Sequence, residues 1–315
     1  MQDDAFKFAE TLSILTTKLP SPTVQKFETI RQGEDDSVIT QLNKSTKRNI
    51  MYQQHGLPPI IAGHDFPKEY ELIKRPVQVG GLFRKGDNVL LTAPSKMGKT
   101  WFYSTIATCI ASGNNFCDRP TQKGRVLLMD LELHKDDAIE RLWRIARANN
   151  LDAPPSDLML WPLRSCQYTL DALIECLANR LDDLGDLDVI ILDPVYMLEG
   201  GQGFDENSAS HVKNLMVELA KIGSKCGATL CLSHHYRKGK MGHEDHIDRG
   251  SGSGAFTRFP DSLISLSKHE ENNCAIVEVT GRSMPKASPW VLEMSPPSIL
   301  NRPDLTPVHK KYGKI

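Results

Sequence analysis

The stretch VLLTAPSKMGKTWF, residues 89–102, constrains the chain more than any other. Four apolar or β-branched residues run into a small, proline-marked turn that closes on Gly98, Lys99 and Thr100, and a helical run, WFYSTIATCIAS, follows. This order fits the form [AG]-x-x-x-x-G-K-[ST] of a phosphate loop, with Ala93 where glycine is more usual. A strand feeding such a turn and then a helix aims successive backbone N–H groups at one point. The helix N-terminus adds positive potential there, so the site suits a polyphosphate. Ala93, Pro94, Ser95, Lys96, Met97, Gly98, Lys99 and Thr100 are therefore expected to form the cradle. Lys99 would reach the β- and γ-phosphates, and the Thr100 hydroxyl would hold Mg²⁺. Gly98 lets the backbone approach closely, and Ala93 is small enough to keep the turn.

Such a loop also needs an acid at the end of a buried strand to organise the metal shell. DVIILDP supplies Asp193 after four apolar residues, about ninety residues downstream. The residue after Asp193 is proline rather than glutamate, so a catalytic carboxylate must come from elsewhere. GRVLLMDLE ends a strand-like run at Glu132, one helix past the loop. Parallel strands open their C-termini on one sheet edge, where Glu132 could orient and polarise an attacking water. Asp130 is the competitor, and its position inside the strand suits a role in setting the strand end. This extra acid-bearing strand excludes most kinases and GTPases, and no N-K-x-D base-reading motif follows the loop. GATLCLSHHYRKGK then brings Ser233, His234 and His235 to the same edge, where a polar residue can feel the γ-phosphate. Zinc at Cys226, Cys231, His234 and His235 is rejected, because successive strand residues point to opposite faces and no spacing closes a known structural site.

Around these motifs, apolar runs alternate with helical stretches from about Val77 to Glu293: NVLLTA, RVLLMDLE, LMLWPL, DVIILDP, ATLCLSHH, SLISLS and AIVEVTG. Near-continuous runs of this kind suit parallel strands buried on both faces, and the alternation implies an α/β sheet. The expected organisation is an accessory segment and linker at 1–75, an ATPase domain at 76–294 and an extended tail at 295–315. The accessory segment shows short helical patterns, DAFKFAETLSILTTKL and TVQKFETIRQ, set apart by Pro20 and Pro22. A formal net charge of −1 leaves no global attraction for nucleic acid, so any such surface must be a local patch. No apolar run reaches the roughly 18 residues of a membrane span, and the acidic start MQDDAFKFAE is unlike a signal peptide. With seven cysteines scattered and no C-x-x-C pair, the expectation is reduced thiols in a cytoplasmic protein.

Taken in order, APSKMGKT, Glu132, VIILDP, LSHHYRKGK and RGSGSGAFTRFPDSLISL resemble the RecA-fold ATPases, specifically the RepA-like hexameric replicative helicases, relatives of the DnaB-type core. The resemblance covers about residues 75–294. It implies an α/β RecA-like P-loop core with a mostly parallel central sheet flanked by helices, and a small N-terminal helical or extended segment. It also implies ATP and Mg²⁺ held between neighbouring subunits of a ring, with single-stranded DNA threaded through the centre. By match, Lys99 and Thr100 are the phosphate-loop pair, Glu132 the catalytic carboxylate, Asp193 the Mg²⁺-organising acid and His234 the γ-phosphate sensor. Residues 236–254 fall where the family has pore loops, and carry Arg237, Lys238, Lys240 and Arg249 among glycines and the acids Glu244, Asp245 and Asp248. Arg282 aligns with an arginine finger offered to the neighbour's γ-phosphate, with Arg258 as the other candidate. Thr280 stands where relatives carry a helper lysine.

The leading expectation is a replication helicase of a plasmid, phage or other mobile element, without a primase, zinc or winged-helix segment. Two rivals stay open: a RecA-like ATPase that loads or remodels a partner on DNA, and an ATP-controlled scaffold. The N-terminal segment is expected to pack on the ring, mediate subunit contact or bind a replication protein.

Overall fold

The computed structural model describes residues 61–68, 75–164, 166, 170–198, 208–235, 258–285 and 287–309. The helical patterns read at 4–19 and 23–32 and the basic loop at 236–254 lie outside these residues. The chain divides into two units, Met1–Ile73 and Lys74–Ile315. In the first, Gly63–Asp65 form a 3₁₀ turn. The second carries the sheet and its helices.

The strand-like runs of the sequence become strands. They are β1 (Val77–Val79), β2 (Phe83–Arg84), β3 (Asn88–Ala93), β4 (Val126–Asp130), β5 (Leu158–Pro162), β6 (Val189–Asp193) and β7 (Thr229–His235). They continue as β8 (Ser262–Lys268), β9 (Cys274–Gly281), β10 (Trp290–Ser295) and β11 (Ser298–Asn301). Helices α1 (Lys99–Ser112), α2 (Lys135–Ala148), α3 (Leu170–Leu184) and α4 (Ala209–Cys226) alternate with them. Among the described residues, nine strands form one sheet in the order β11-β10-β9-β8-β3-β7-β6-β4-β5, and β1 and β2 form a separate antiparallel pair. From β8 to β5 every pairing is parallel, whereas β9, β10 and β11 are added antiparallel.

The apolar runs are explained by burial on both faces. Val89, Leu91 and Ala93 of β3 pack with Val126, Leu128, Val189, Ile191 and Cys231 under α1, through Phe102, Ile106 and Ile110. The intervening Leu90 faces the other way, with Leu127, Met129, Ile190, Leu192 and Leu230, under Leu173 and Leu177 of α3 and Val212, Met216 and Leu219 of α4. Alternate residues thus feed two cores, and the polar residues buried within the strands are hydrogen-bonded, as where the Thr92 and Ser265 hydroxyls meet at 3.2 Å.

Helix α1 is buried at nearly every position from Phe102 to Ala111. A helix apolar all round belongs inside, which fixes the loop before it against the sheet. It ends at Gly113 (φ 83°), whose N–H bonds to the carbonyls of Cys109 and Ile110. Helix α2 is amphipathic instead, burying Ala138, Leu142, Ile145 and Ala146. Asp136 and Asp137 in its first turn and Arg147 in its last complement the helix dipole.

Of the segment from 295, read as an extended tail, residues 295–309 are described, and they carry a strand of the main sheet. Its strand β11 pairs with β10, Arg302 bridges Glu293 at 3.0 Å and Asp304 at 2.7 Å, and the His269 imidazole Nε2 lies 2.8 Å from the Thr306 carbonyl. Among the described residues no helix is long and apolar enough to cross a membrane.

Candidate active site

The parallel register decides where chemistry can sit. The C-terminal ends of β3, β4, β6 and β7 open on one edge, and a turn, an acid or a histidine stands at each. Asp130 and Asp193 are register partners on β4 and β6, and Ala93 and His235 on β3 and β7. A cleft of about 320 Å³ results, lined by Lys96, Met97, Gly98, Lys99, Thr100, Trp101, Glu132, Leu133, Arg141, Asp193, Pro194 and His235. Its volume falls in the range of about 300–1,000 Å³ usual for small-molecule sites.

Within the turn, Lys96 and Gly98 take left-handed φ values of 62° and 88°. Successive N–H groups in such alternating conformations form an anion-binding concavity. A Cβ at Gly98 would meet only the flexible end of Met294, at 2.8 Å, so the backbone angle rather than space demands glycine. Gly98→Ala is expected to cost about 1–2 kcal/mol, read as a lower urea midpoint at unchanged m-value. It should weaken nucleotide binding as well, because relief of the angle would move the N–H groups.

Lys99 begins α1 and is 6% exposed. Its ammonium lies 2.8 Å from His235 Nδ1 and 3.4 Å from the Ala93 carbonyl. Burial lowers its pKa to about 8, against the attraction of Asp193 and Glu132. An ammonium can only donate, so Nδ1 of His235 accepts and that ring carries its proton on Nε2. Burial and the neighbouring ammonium also lower the His235 pKa, in keeping with a neutral ring. His234, the residue matched to a γ-phosphate sensor, is 2% exposed beside it. Burial, His235 and Lys99 bring its pKa down to about 4. The structure thus places His235 against the phosphate-loop lysine and among the cleft residues, one position beyond the residue that the sequence motif singles out.

Asp193 is 3% exposed and accepts hydrogen bonds from the Ser233 and Thr100 hydroxyls. Burial pushes its carboxyl pKa up, while those hydroxyls pull it down. Hard oxygen donors on Thr100 and Asp193, adjacent at the cleft floor, fit Mg²⁺, which takes few protein ligands and completes its shell with phosphate oxygens and water. Asp130 is occupied elsewhere: one carboxylate oxygen accepts the N–H groups of Glu132 at 2.9 Å and Leu133 at 2.8 Å. It fixes the turn that carries Glu132 to the cleft wall, where that residue is exposed.

Arg282 is not in this cleft. Antiparallel pairing aligns Gly281 with Ser262, at the edge where the parallel strands begin. The two edges are the length of β3 apart, six residues at about 3.3 Å, or roughly 20 Å. There the Arg282 guanidinium donates to the carbonyls of Arg258 and of Phe259, the latter at 3.1 Å. Arg258 is likewise at that edge by this contact. Arg237, Lys238, Lys240 and Arg249 lie outside the described residues.

A family profile, described as an AAA domain, matches residues 70–241, more than half of the chain. The chain belongs to the AAA domain family. The matched span of this AAA domain holds the phosphate loop, Glu132, Asp193 and both histidines. Its fold is similar to that of a solved ATPase domain of another protein, with a TM-score of 0.53 at 17% identity over 69% of this chain and 85% of that one. No curated protein matches the chain by sequence. The expected RecA-like core, a mostly parallel sheet flanked by helices, is therefore present, and the AAA domain is a P-loop ATPase domain. The sequence brings His235 to this edge without assigning it a contact, and Arg141 escapes a reading of the sequence altogether. His235 is indistinguishable there from its neighbour, and Arg141 sits mid-helix in a charged amphipathic run that reads as a solvated face.

Proposed function

We propose that the chain is an ATP-hydrolysing motor of RepA-like helicase type that moves on single-stranded DNA during replication of a mobile element. The observation that carries this reading is the meeting of Lys99, Thr100, Glu132 and Asp193 in one cleft. The triphosphate would lie over residues 93–100, with Lys99 neutralising the β- and γ-phosphate oxygens and leaving its contact with His235 to do so. Mg²⁺, held by Thr100 and Asp193, would supply further charge neutralisation on the same oxygens. Glu132 orients the attacking water and takes its proton. His235 and His234, at the end of β7, then report the presence of the γ-phosphate to the loop at 236–254.

Arg282 supports assembly. It lies about a strand length from its own cleft, so it can act as a finger only in a neighbouring copy. A head-to-tail contact of that kind repeats until it closes, which favours a homo-oligomeric ring, a hexamer by family resemblance. Arg237, Lys238, Lys240 and Arg249 would then face a central DNA strand, and residues 1–75 would be free to engage a replication partner. The protein would work in the cytoplasm.

The deciding measurement is ATP turnover with and without single-stranded DNA, followed by strand displacement. Turnover stimulated by DNA, lost in Arg282→Ala and accompanied by unwinding, is the expected result. Turnover that ignores DNA would remove the pore-loop role of 236–254 and leave a protein-directed ATPase. DNA stimulation without unwinding would favour a loader.

A further inference from the structure

A second cavity, of about 260 Å³, adjoins the cleft and shares Lys96 and Met97 with it. Lys268, Asn272, Asn273 and Cys274 of the β8–β9 turn line it, and so does Met294 of β10. Met294 follows buried Leu292 by two residues, so β10 presents both to the α1 side of the sheet, where Met294 packs half-buried against the core. Its N–H donates to the Asn273 carbonyl at 2.7 Å, which pins the backbone and leaves the side chain to reach the phosphate loop. The methyl end stands 2.8 Å from the point that a Cβ on Gly98 would take. A thioether thus rests against the residue whose backbone angle shapes the anion cradle.

The cavity gives a small oxidant access to that sulfur. Met129 and Met216, 0% and 1% exposed, have no such opening. A thioether reacts with peroxide in its ordinary state, whereas a thiol must first ionise. Cys274 lines the same cavity, but burial pushes its thiol pKa up, which makes it the poorer target. Met97 also lines the cavity and belongs to the loop itself, so the two methionines have to be separated by experiment.

We propose that Met294 is an oxidation site, and that its sulfoxide weakens nucleotide binding at the neighbouring phosphate loop until a reductase restores the thioether. The second half rests on the reading of the cleft as a nucleoside triphosphate site. Hydrogen peroxide supplies the oxygen: a sulfur lone pair attacks one peroxide oxygen, the O–O bond breaks, and water leaves after proton transfer. Sulfur loses two electrons and peroxide gains them. In the reverse step a dithiol reductant becomes a disulfide and the oxygen departs as water. The sulfoxide is larger and polar, so it gives up the apolar contact beside Gly98. Its oxygen also offers an acceptor to the loop's donors, Lys96 among them, in competition with phosphate.

The test treats the full chain with graded hydrogen peroxide and maps sulfoxide at every methionine by peptide mass spectrometry. Affinity for an ATP analogue with a non-hydrolysable β–γ bridge is measured with Mg²⁺ after each dose. The loss of affinity should follow the sulfoxide fraction at residue 294 and reach about tenfold, the worth of one hydrogen bond to a charged group. Methionine sulfoxide reductases for both sulfur epimers, with a dithiol, should restore it. Met294→Leu should keep its own untreated affinity after the same dose. Met97→Leu and Met197→Leu, the latter removing a methionine that is 45% exposed, should still lose theirs. A residue 294 that stays a thioether while Met197 is converted would overturn the site. Unchanged affinity at full conversion, or an equal loss in treated Met294→Leu, would overturn its effect on the loop. An untreated wild type that binds no analogue would remove the cleft reading and the second half of the proposal, while the mass spectra would still decide the first.

Discussion

Lys99→Met is expected to abolish nucleotide hydrolysis and, in the same protein without nucleotide, to raise the melting temperature. Both effects follow from an ammonium that is 6% exposed and paired with no carboxylate among the described residues. Its partners are a histidine nitrogen and a backbone carbonyl, which offset only part of the cost of burying a charge. With its pKa lowered from 10.5 to about 8, the cost of keeping it charged is at most about 3 kcal/mol. Methionine keeps the length of the side chain and drops the charge, so a gain of about 1–3 kcal/mol is expected. Turnover should fall by about 10³-fold or more, since the cation proposed to meet the phosphates would be gone.

The same lysine makes stability depend on pH with a definite sign. Between pH 8 and 10.5 the unfolded chain binds more protons at Lys99 than the folded one, so this group makes wild-type stability rise with pH across that window. The thiols of buried Cys109 and half-buried Cys117, both pushed up to about 12, act the other way above pH 9. The lysine contribution is therefore the difference between the wild-type and Lys99→Met curves, measured by thermal unfolding at each pH. A variant that melts lower, with an unchanged pH profile, would mean that Lys99 stabilises the fold and is not held in reserve for an anion.

The second large effect is expected at Glu132. Glu132→Gln keeps the shape and removes the proton acceptor, so kcat should drop by about 10²–10⁴-fold while nucleotide affinity stays within a few-fold. The turn is unaffected, because Asp130 holds the backbone N–H of residue 132 rather than its side chain. Single-turnover hydrolysis and equilibrium binding separate the two quantities. If Glu132→Gln turns over normally and Asp130→Asn does not, at equal melting temperatures, the base is Asp130 and the role given to Glu132 is wrong.

Much of this site was legible because strand ends carry it. VLLTA and VIILD are apolar on both faces, so the next polar residue marks where the strand leaves the core, and Asp193 and the phosphate loop fall there. Other features depended on distances that no one-dimensional pattern contains. His234 and His235 are adjacent and chemically identical, and only the pairing of β7 with β3 decides which ring meets Lys99. Arg141 shares α2 with Arg144 and Arg147, and helical spacing alone makes all three look solvated. The packing of α2 against α1, which brings Arg141 over Trp101, selects one of them. The antiparallel addition of β9–β11 was hidden too, since AIVEVTG reads alike for either strand direction.

The outermost strands bear on how copies of this chain can meet. An open sheet presents unpaired amide and carbonyl groups along both sides, an invitation to join another sheet by backbone hydrogen bonding. Among the described residues one side is β5, which stops at Pro162, and the other is the four-residue β11, hemmed by Pro296, Pro297 and Pro303. Proline has no N–H to donate, and so short a strand offers little length for pairing. Growth into continuous β-ribbons, the route to fibrillar aggregates, is thereby blunted at both of these edges, and any contact between copies would have to rest on side chains and loops.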